Sequence, residues 1–332
     1  MQLLPEVKTA MNGIKSMEIR GARLIAKTAV ECLRLTAERS EVKDIEAFVG
    51  EMDFVSKSLL STRPTAVSLP NGIRYVMYRI LQAQKQGLNL EEVKGITEKA
   101  CKDFLENVEQ ASMRIAEIGA RRVSDGDIIL THCHSTAVME ILKKAEEQGK
   151  RIQVYVTETR PLMQGRIVAE ILQDAGIPVT FIVDGAARHF MKKVDKVIVG
   201  ADAVAANGAV VNKIGTSMVA LAAHEARTLF FVAAETYKFS PETIIGELVK
   251  IEERPLEEVI PLEIVSKWKN VEVRNPSFDV TPPDYIDLII TERGIIPPQA
   301  ALTILQQEFG PAPYEEQARY STYFGETVYE PK

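Results

Sequence analysis

Cys133 sits between two histidines, in Thr131-His132-Cys133-His134-Ser135-Thr136-Ala137, so half of the chain's four histidines flank one of its three cysteines. A thiol in that company can serve as a nucleophile, a metal ligand or a proton carrier. The preceding apolar run, Asp127-Ile128-Ile129-Leu130, reads as a strand that ends at this cluster. A second run, Val197-Ile198-Val199-Gly200-Ala201, delivers Asp202 in the same way. Because α/β sheets hold their ligands at the carboxyl ends of strands, thiol and carboxylate form a candidate acid–base pair. Strand alternation would turn His132 and His134 to the face opposite Cys133, which argues against all three sharing one metal ion. A helix opening just after Ser135 would favour the thiolate through its N-terminal dipole. Blander readings stand beside these: a buried cysteine often acts as a small hydrophobe, and an aspartate often caps a loop or helix.

Cationic and amide groups recur around the pair. After the turn at Asn207-Gly208, the stretch Asn212-Lys213-Ile214-Gly215-Thr216 reads as the opening of a helix, where Lys213 and unused amides would cradle a phosphate. Thr157-Glu158-Thr159-Arg160-Pro161 ends a further strand, and Gln164-Gly165-Arg166 opens the helix behind it. Arg160 either pairs with Glu158 or walls the site. Lys238, in Ala234-Glu235-Thr236-Tyr237-Lys238-Phe239, is either a solvated lysine or an anion ligand at a strand end. Arg20 in Ile19-Arg20-Gly21-Ala22-Arg23 and Arg63 in Ser61-Thr62-Arg63-Pro64-Thr65-Ala66-Val67 adjoin Gly or Pro. They either join helices electrostatically or clamp a phosphate.

The elements that must position these residues fall into two kinds. Residues 1–119 read as successive helices, interrupted at the two arginine motifs. The longest helix starts with a capping box, Asn89 and Glu92, repeats apolar residues at helical spacing from Val93 to Ile115, and ends on Gly119. From residue 120 to 332 short apolar runs alternate with amphipathic segments. Strands are expected at 128–132, 152–157, 178–183, 196–200, 228–233 and 286–290, and helices at 136–148, 165–175, 186–193, 212–227 and 298–308. That alternation predicts an α/β protein, an N-terminal helical domain followed by a Rossmann-like doubly wound parallel sheet. The Pro- and Tyr-rich tail after Gly310 reads as a surface arm.

A chain of 332 residues with formal charge −6 is not built for general attraction to nucleic acid or to an anionic membrane surface. Any anionic ligand must then be held by local Arg and Lys. The first residues carry no apolar signal-peptide core, no run is long enough to span a membrane, and the cysteines form no CxxC. A cytoplasmic location is expected.

Taken together, Ile19-Arg20-Gly21-Ala22, Arg63-Pro64-Thr65-Ala66-Val67, Cys133, Glu158-Thr159-Arg160-Pro161 with Gln164-Gly165, Gly200-Ala201-Asp202 with Asn207-Gly208, and Asn212-Lys213-Ile214-Gly215-Thr216 occur in one order. This resembles the family of methylthioribose-1-phosphate isomerases, archaeal ribose-1,5-bisphosphate isomerases and regulatory subunits of the eukaryotic translation-initiation nucleotide exchange factor. The likeness runs from about residue 15 to 310. The regulatory subunits usually lack the Cys/Asp pair, which this chain has. Methylthioribose-1-phosphate isomerases typically read RGAP where this chain has Arg23, and CNTG or CNAG where it has Cys133-His134-Ser135-Thr136-Ala137. They also lack a segment like Ala234–Phe239. These departures, and Asn275-Pro276-Ser277-Phe278-Asp279-Val280-Thr281-Pro282-Pro283, resemble the bisphosphate isomerases.

The resemblance implies an aldose–ketose isomerase of ribose 1,5-bisphosphate in nucleoside-monophosphate breakdown, assembled as a homodimer or a trimer of dimers, with a sugar bisphosphate as its small-molecule partner. Asp202, held protonated, would protonate the ring oxygen while Cys133 as thiolate carries the proton from C2 to C1 through an enol phosphate. Arg20, Gly21, Ala22, Arg23 and Arg63 would close over one side. Ser135, Asn212, Lys213 and Lys238 would hold the other, with Gln164 on the sugar. The scheme needs no metal or organic cofactor.

Overall fold

The computed structural model describes residues 2–19, 21–63, 67–245 and 249–309. Two compact units emerge, Met1–Gln110 and Ala111–Glu308. The first holds α1 (Pro5–Lys15), α2 (Ala22–Glu38), α3 (Ile45–Leu60), α4 (Ser68–Lys85) and most of α5 (Leu90–Ala120). Each helix buries one stripe; in α2 it is Ile25, Ala29, Val30, Leu33 and Ala37. Local chemistry sets the starts. The Asp44 carboxylate accepts the Ala47 amide at 2.7 Å to cap α3. Asn89 and Glu92 exchange side-chain to backbone bonds of 2.8 and 3.0 Å, the reciprocal capping box the sequence predicts for α5. The division between units falls inside α5, whose later residues Ile115 and Ala120 join the apolar core of the second unit.

That second unit is built on seven strands in the order β10-β9-β7-β4-β1-β2-β3. They are β1 (Ile128–Thr131), β2 (Gln153–Thr157), β3 (Val179–Ile182), β4 (Lys196–Gly200), β7 (Leu229–Ala233), β9 (Leu288–Thr291) and β10 (Gly294–Ile296). All pair in parallel except β10, which folds back on β9. The helices α6 (Thr136–Glu147), α7 (Gln164–Asp174), α8 (Ala187–Phe190) and α9 (Thr216–Ala226) connect them, followed by the short α10 (Leu262–Val265) and α11 (Ala301–Phe309). The chain winds from β1 outward through β2 to β3, then crosses to β4 on the other side of β1 and continues to β7 and β9. The direction of winding therefore reverses between β1 and β4. Open α/β sheets bind their ligands at such a switch point, outside the carboxyl ends of the strands.

The structure corrects several expected boundaries. The helix expected over 212–227 starts at Thr216, because Asn212 and Lys213 belong to β6 (Val210–Lys213). This strand joins β5 (Ala203–Val204) and β8 (Phe278–Thr281) in a small antiparallel sheet that the sequence reading did not foresee. The apolar pair Val210-Val211 is buried in it, and Gly215 at φ +101° turns the chain into α9. The helix expected at 186–193 is α8 flanked by single 3-10 turns, and the one expected at 298–308 begins as a 3-10 turn before α11. Among the described residues no helix is long and apolar enough to cross a membrane. The tail after Gly310 lies outside the described residues.

Candidate active site

Cys133 follows β1 and Asp202 follows β4, so the two lie at the carboxyl ends of the strands that border the switch point. They are near enough for the Asp202 charge to act on the thiol. The strand stops at Thr131, and Cys133 takes the left-handed conformation, φ +69°. Simple alternation, expected to place both histidines opposite the thiol, does not apply past that point. A non-glycine residue in this region needs outside support. The Thr159 hydroxyl accepts the Cys133 amide at 2.9 Å, and Asp184 holds Thr159 in turn, accepting the Thr159 and Arg160 amides at 2.8 Å each. The thiol points at the Gln164 Oε1, 3.4 Å away, from the first turn of α7. That turn can approach only because residue 165 is glycine: a Cβ there would lie 1.8 Å from the Thr157 carbonyl oxygen.

Burial pushes the Cys133 thiol up to about 12. Lys213 and the His134 amide pull it down, while Asp202 and Asp184 push it further up. Burial therefore works against the expected thiolate. The N-terminus of α6 does not overcome desolvation, and Ser135 caps it, its hydroxyl accepting the Val138 amide at 3.5 Å. Gly200 makes room for that serine, since a Cβ at 200 would come within 2.5 Å of the Ser135 side chain.

The expected phosphate cradle at the start of α9 is occupied by protein. Asp279 of β8 accepts the Gly215 amide at 2.8 Å and the Ser217 hydroxyl at 2.8 Å, and it also takes the Ser217 amide. Burial raises the Asp279 carboxyl, and these bonds oppose the rise. Asn212 is buried and donates to the Thr216 hydroxyl at 3.0 Å. Lys213 remains: its Nζ lies 4.8 Å from the centre of the Phe278 ring, and among the described residues no ion pair neutralises it.

Two other expected cations, Lys238 and Arg23, have carboxylate partners. Lys238, a candidate anion ligand by sequence, is buried and paired with Glu235 at 2.7 Å. The segment bearing it returns to β5, where Ser240 donates to the Val204 carbonyl at 2.9 Å, beside the Asp202 turn. Arg160 does not pair with Glu158; its guanidinium donates to the Val259 carbonyl at 2.9 Å. In the helical unit Arg23 and Lys27 both pair with Glu109. Gly21 adopts φ +85° just before α2, and the Ala22 carbonyl accepts the Ser68 hydroxyl at 2.9 Å. Arg63 follows α3. Arg20 and Pro64–Ala66 lie outside the described residues.

Sequence reading missed Thr159, Asp184, Asp279 and Glu235. Asp184 carried one usable signal, an acidic residue just past a strand; Glu235 carried another, three residues before Lys238.

Residues 18–298 match the model of the Initiation factor 2 subunit family. The chain is 54% identical to the ribose 1,5-bisphosphate isomerase of Thermococcus kodakarensis over 93% of its own length and 97% of that protein's. It is 39% identical to the methylthioribose-1-phosphate isomerase of Acetivibrio thermocellus, over 86% and 87% of the two chains. Among solved structures, a translation initiation factor eIF-2B from Pyrococcus horikoshii superimposes with a TM-score of 0.75 at 33% identity, over 90% of this chain and all of that one. With its fold, its switch-point residues and these likenesses in agreement, the chain belongs to the Initiation factor 2 subunit family and groups with the sugar-phosphate isomerases in it.

Proposed function

We propose that the chain interconverts α-D-ribose 1,5-bisphosphate and D-ribulose 1,5-bisphosphate by proton transfer between Cys133 and Asp202. The observation that carries this reading is the pairing of a thiol and a carboxylate at the two strand ends of the switch point, where Lys213, without an ion pair among the described residues, acts on the thiol. A phosphate on C1 prevents spontaneous ring opening, so the ring must be opened on the enzyme. With one proton shared between them, the pair is active as Asp202 carboxylic acid and Cys133 thiolate. Lys213 favours that distribution.

Asp202 gives its proton to the ring oxygen as the bond from C1 to that oxygen breaks. Cys133 takes the C2 proton, and the C–H electron pair becomes the C1–C2 double bond of an enol phosphate. Asp202, now a carboxylate, removes the O2 proton. The new thiol delivers its proton to C1, which restores both groups and leaves the ketone. Each general acid or base contributes typically ~10²–10⁴-fold. Gln164 orients the thiol, and Ser135 follows β1 at the same strand end. The regulatory reading has no use for this pair.

Arg23 and Lys238, the two cations that favoured a second phosphate in the sequence, are each bound to a carboxylate. The choice of a bisphosphate over methylthioribose 1-phosphate is therefore supported chiefly by the greater overall likeness to the bisphosphate isomerases. Purified protein should prefer the bisphosphate by ~10³-fold or more in kcat/KM. Equal turnover of both sugars, or preference for the methylthio compound, would overturn the substrate assignment. The breakdown of nucleoside monophosphates as its setting, and assembly as a dimer or trimer of dimers, belong to the same reading. Light scattering that shows only a monomer at micromolar concentration would remove the assembly.

A further inference from the structure

His132 flanks Cys133 in the sequence and is used by no step of the reaction above. Its side chain has no exposed surface. Nε2 lies 2.9 Å from the Ile214 carbonyl and Nδ1 lies 2.7 Å from the Thr157 hydroxyl. A carbonyl can only accept, so Nε2 carries the hydrogen, and in the neutral ring Nδ1 must accept from Thr157. Desolvation lowers the His132 pKa, which favours the neutral ring. The Asp184 carboxylate, 3.8 Å from Nδ1, is too far for a hydrogen bond and is already used by two backbone amides.

The ring also packs against the turn into α9. A Cβ at Gly215 would lie 3.0 Å from both Cε1 and Nε2, and Gly215 holds φ +101°, so glycine is required there twice over. His132 thus ties two pieces of backbone together. On one side is its neighbour Cys133, in the left-handed region and hung on Thr159; on the other is Ile214, the residue after Lys213. Among the described residues no cluster of three His, Cys, Asp or Glu side chains offers a metal site that would give His132 another task.

We propose that His132 is a positioning residue, a neutral imidazole of fixed tautomer that sets the Cys133 thiol against the Lys213 ammonium without carrying a proton itself. The proposal rests on the catalytic reading of Cys133, so its test includes a measurement that needs no substrate. Alkylation of Cys133 by iodoacetamide, followed by peptide mass spectrometry to separate it from Cys32 and Cys101, reports how the thiol is held.

In His132→Ala, alkylation of Cys133 should quicken by about tenfold as the backbone loosens. Its kcat should fall by about 50-fold with KM changed less than about threefold. His132→Gln, whose amide can still donate to the Ile214 carbonyl, should recover most of both, and should keep the pH–rate limbs of the wild type. If the alanine variant does not fold, the glutamine variant and His132→Asn, which keeps only the Thr157 side, decide the matter: glutamine should be the better of the two. Unchanged alkylation and kcat in the alanine variant would overturn the proposal. So would loss of one pH–rate limb in the glutamine variant, since that would make His132 a proton carrier. Failure of wild-type protein to turn over ribose bisphosphate would sink the substrate reading, while the alkylation series would still test the positioning role.

Discussion

Burial pushes the thiols of Cys32 and Cys101 in the helical unit and of Cys133 in the sheet unit up to about 12 alike. Their surroundings differ. Cys101 feels one cation, Arg34, but that guanidinium is held by Glu31 at 2.7 Å and Glu38 at 3.2 Å. Cys101 is a helical residue on the buried side of α5. Cys133 feels Lys213, which has no ion-pair partner among the described residues, and sits at a strand end in a strained backbone conformation. Desolvation makes a thiol inert wherever it occurs. Reactivity comes from an unbalanced charge and from backbone that only a specific network can hold.

The largest expected effect tests that contrast directly. Cys133→Ser replaces the proton carrier with a far weaker acid and should cut kcat by at least ~10²-fold while substrate still binds. Cys101→Ala should leave kcat within about twofold and show itself only as lost stability. Comparable losses of turnover in both, measured at equal folded fraction, would mean that the two thiols differ less than their surroundings indicate.

The same contrast marks what could be read in the sequence. Apolar runs such as Val197-Ile198-Val199 have no alternative to a buried parallel strand, so the sheet, its crossovers and the placement of Cys133 and Asp202 were legible. β6 was not. Its residues run straight into α9, and its pairing partner, Phe278–Thr281, is far away in the chain. For the same reason Asp279 could not be seen to take the amides of Gly215 and Ser217, and a helix start that looked ready for phosphate was already satisfied. Lysines and arginines were recognisable as cations, but whether each is neutralised depends on residues such as Glu109 and Glu235 that only the fold brings near. The left-handed turn at Cys133 had no signature at all, because it is imposed by Thr159 and Asp184 rather than by a glycine.

Lys213 and Lys238 sharpen the point with a smaller expected effect. Lys213→Met removes the cation that draws the thiol pKa down, and should lower kcat/KM by about tenfold to a hundredfold with little change in melting temperature. Lys238→Met leaves the Glu235 carboxylate, whose side chain is 1% exposed, without its partner. Breaking a buried pair by removing one member costs about 3–5 kcal/mol, so the loss should appear first in denaturant unfolding. An unstable Lys213 variant together with a fully stable Lys238 variant would reverse the roles assigned here.

The smallest effect is one that the two regions should share. A thiol whose pKa rises from 9 in the unfolded chain to about 12 in the folded one holds its proton more tightly when folded. Its contribution to stability is complete below pH 9 and is lost as pH climbs toward 12. In that window each such cysteine contributes a slope of about 1.4 kcal/mol per pH unit. Cys101→Ala and Cys133→Ala should therefore each flatten the alkaline decline of unfolding free energy by about the same amount, read from urea midpoints at pH 8.5, 9.5 and 10.5. Since only Cys133 should matter to the rate, equal slopes with unequal kinetics would separate burial from catalysis in one pair of variants. A flatter decline in the Cys101 variant alone would instead show that Cys133 is less desolvated than its burial among Thr159, Gln164 and Lys213 indicates.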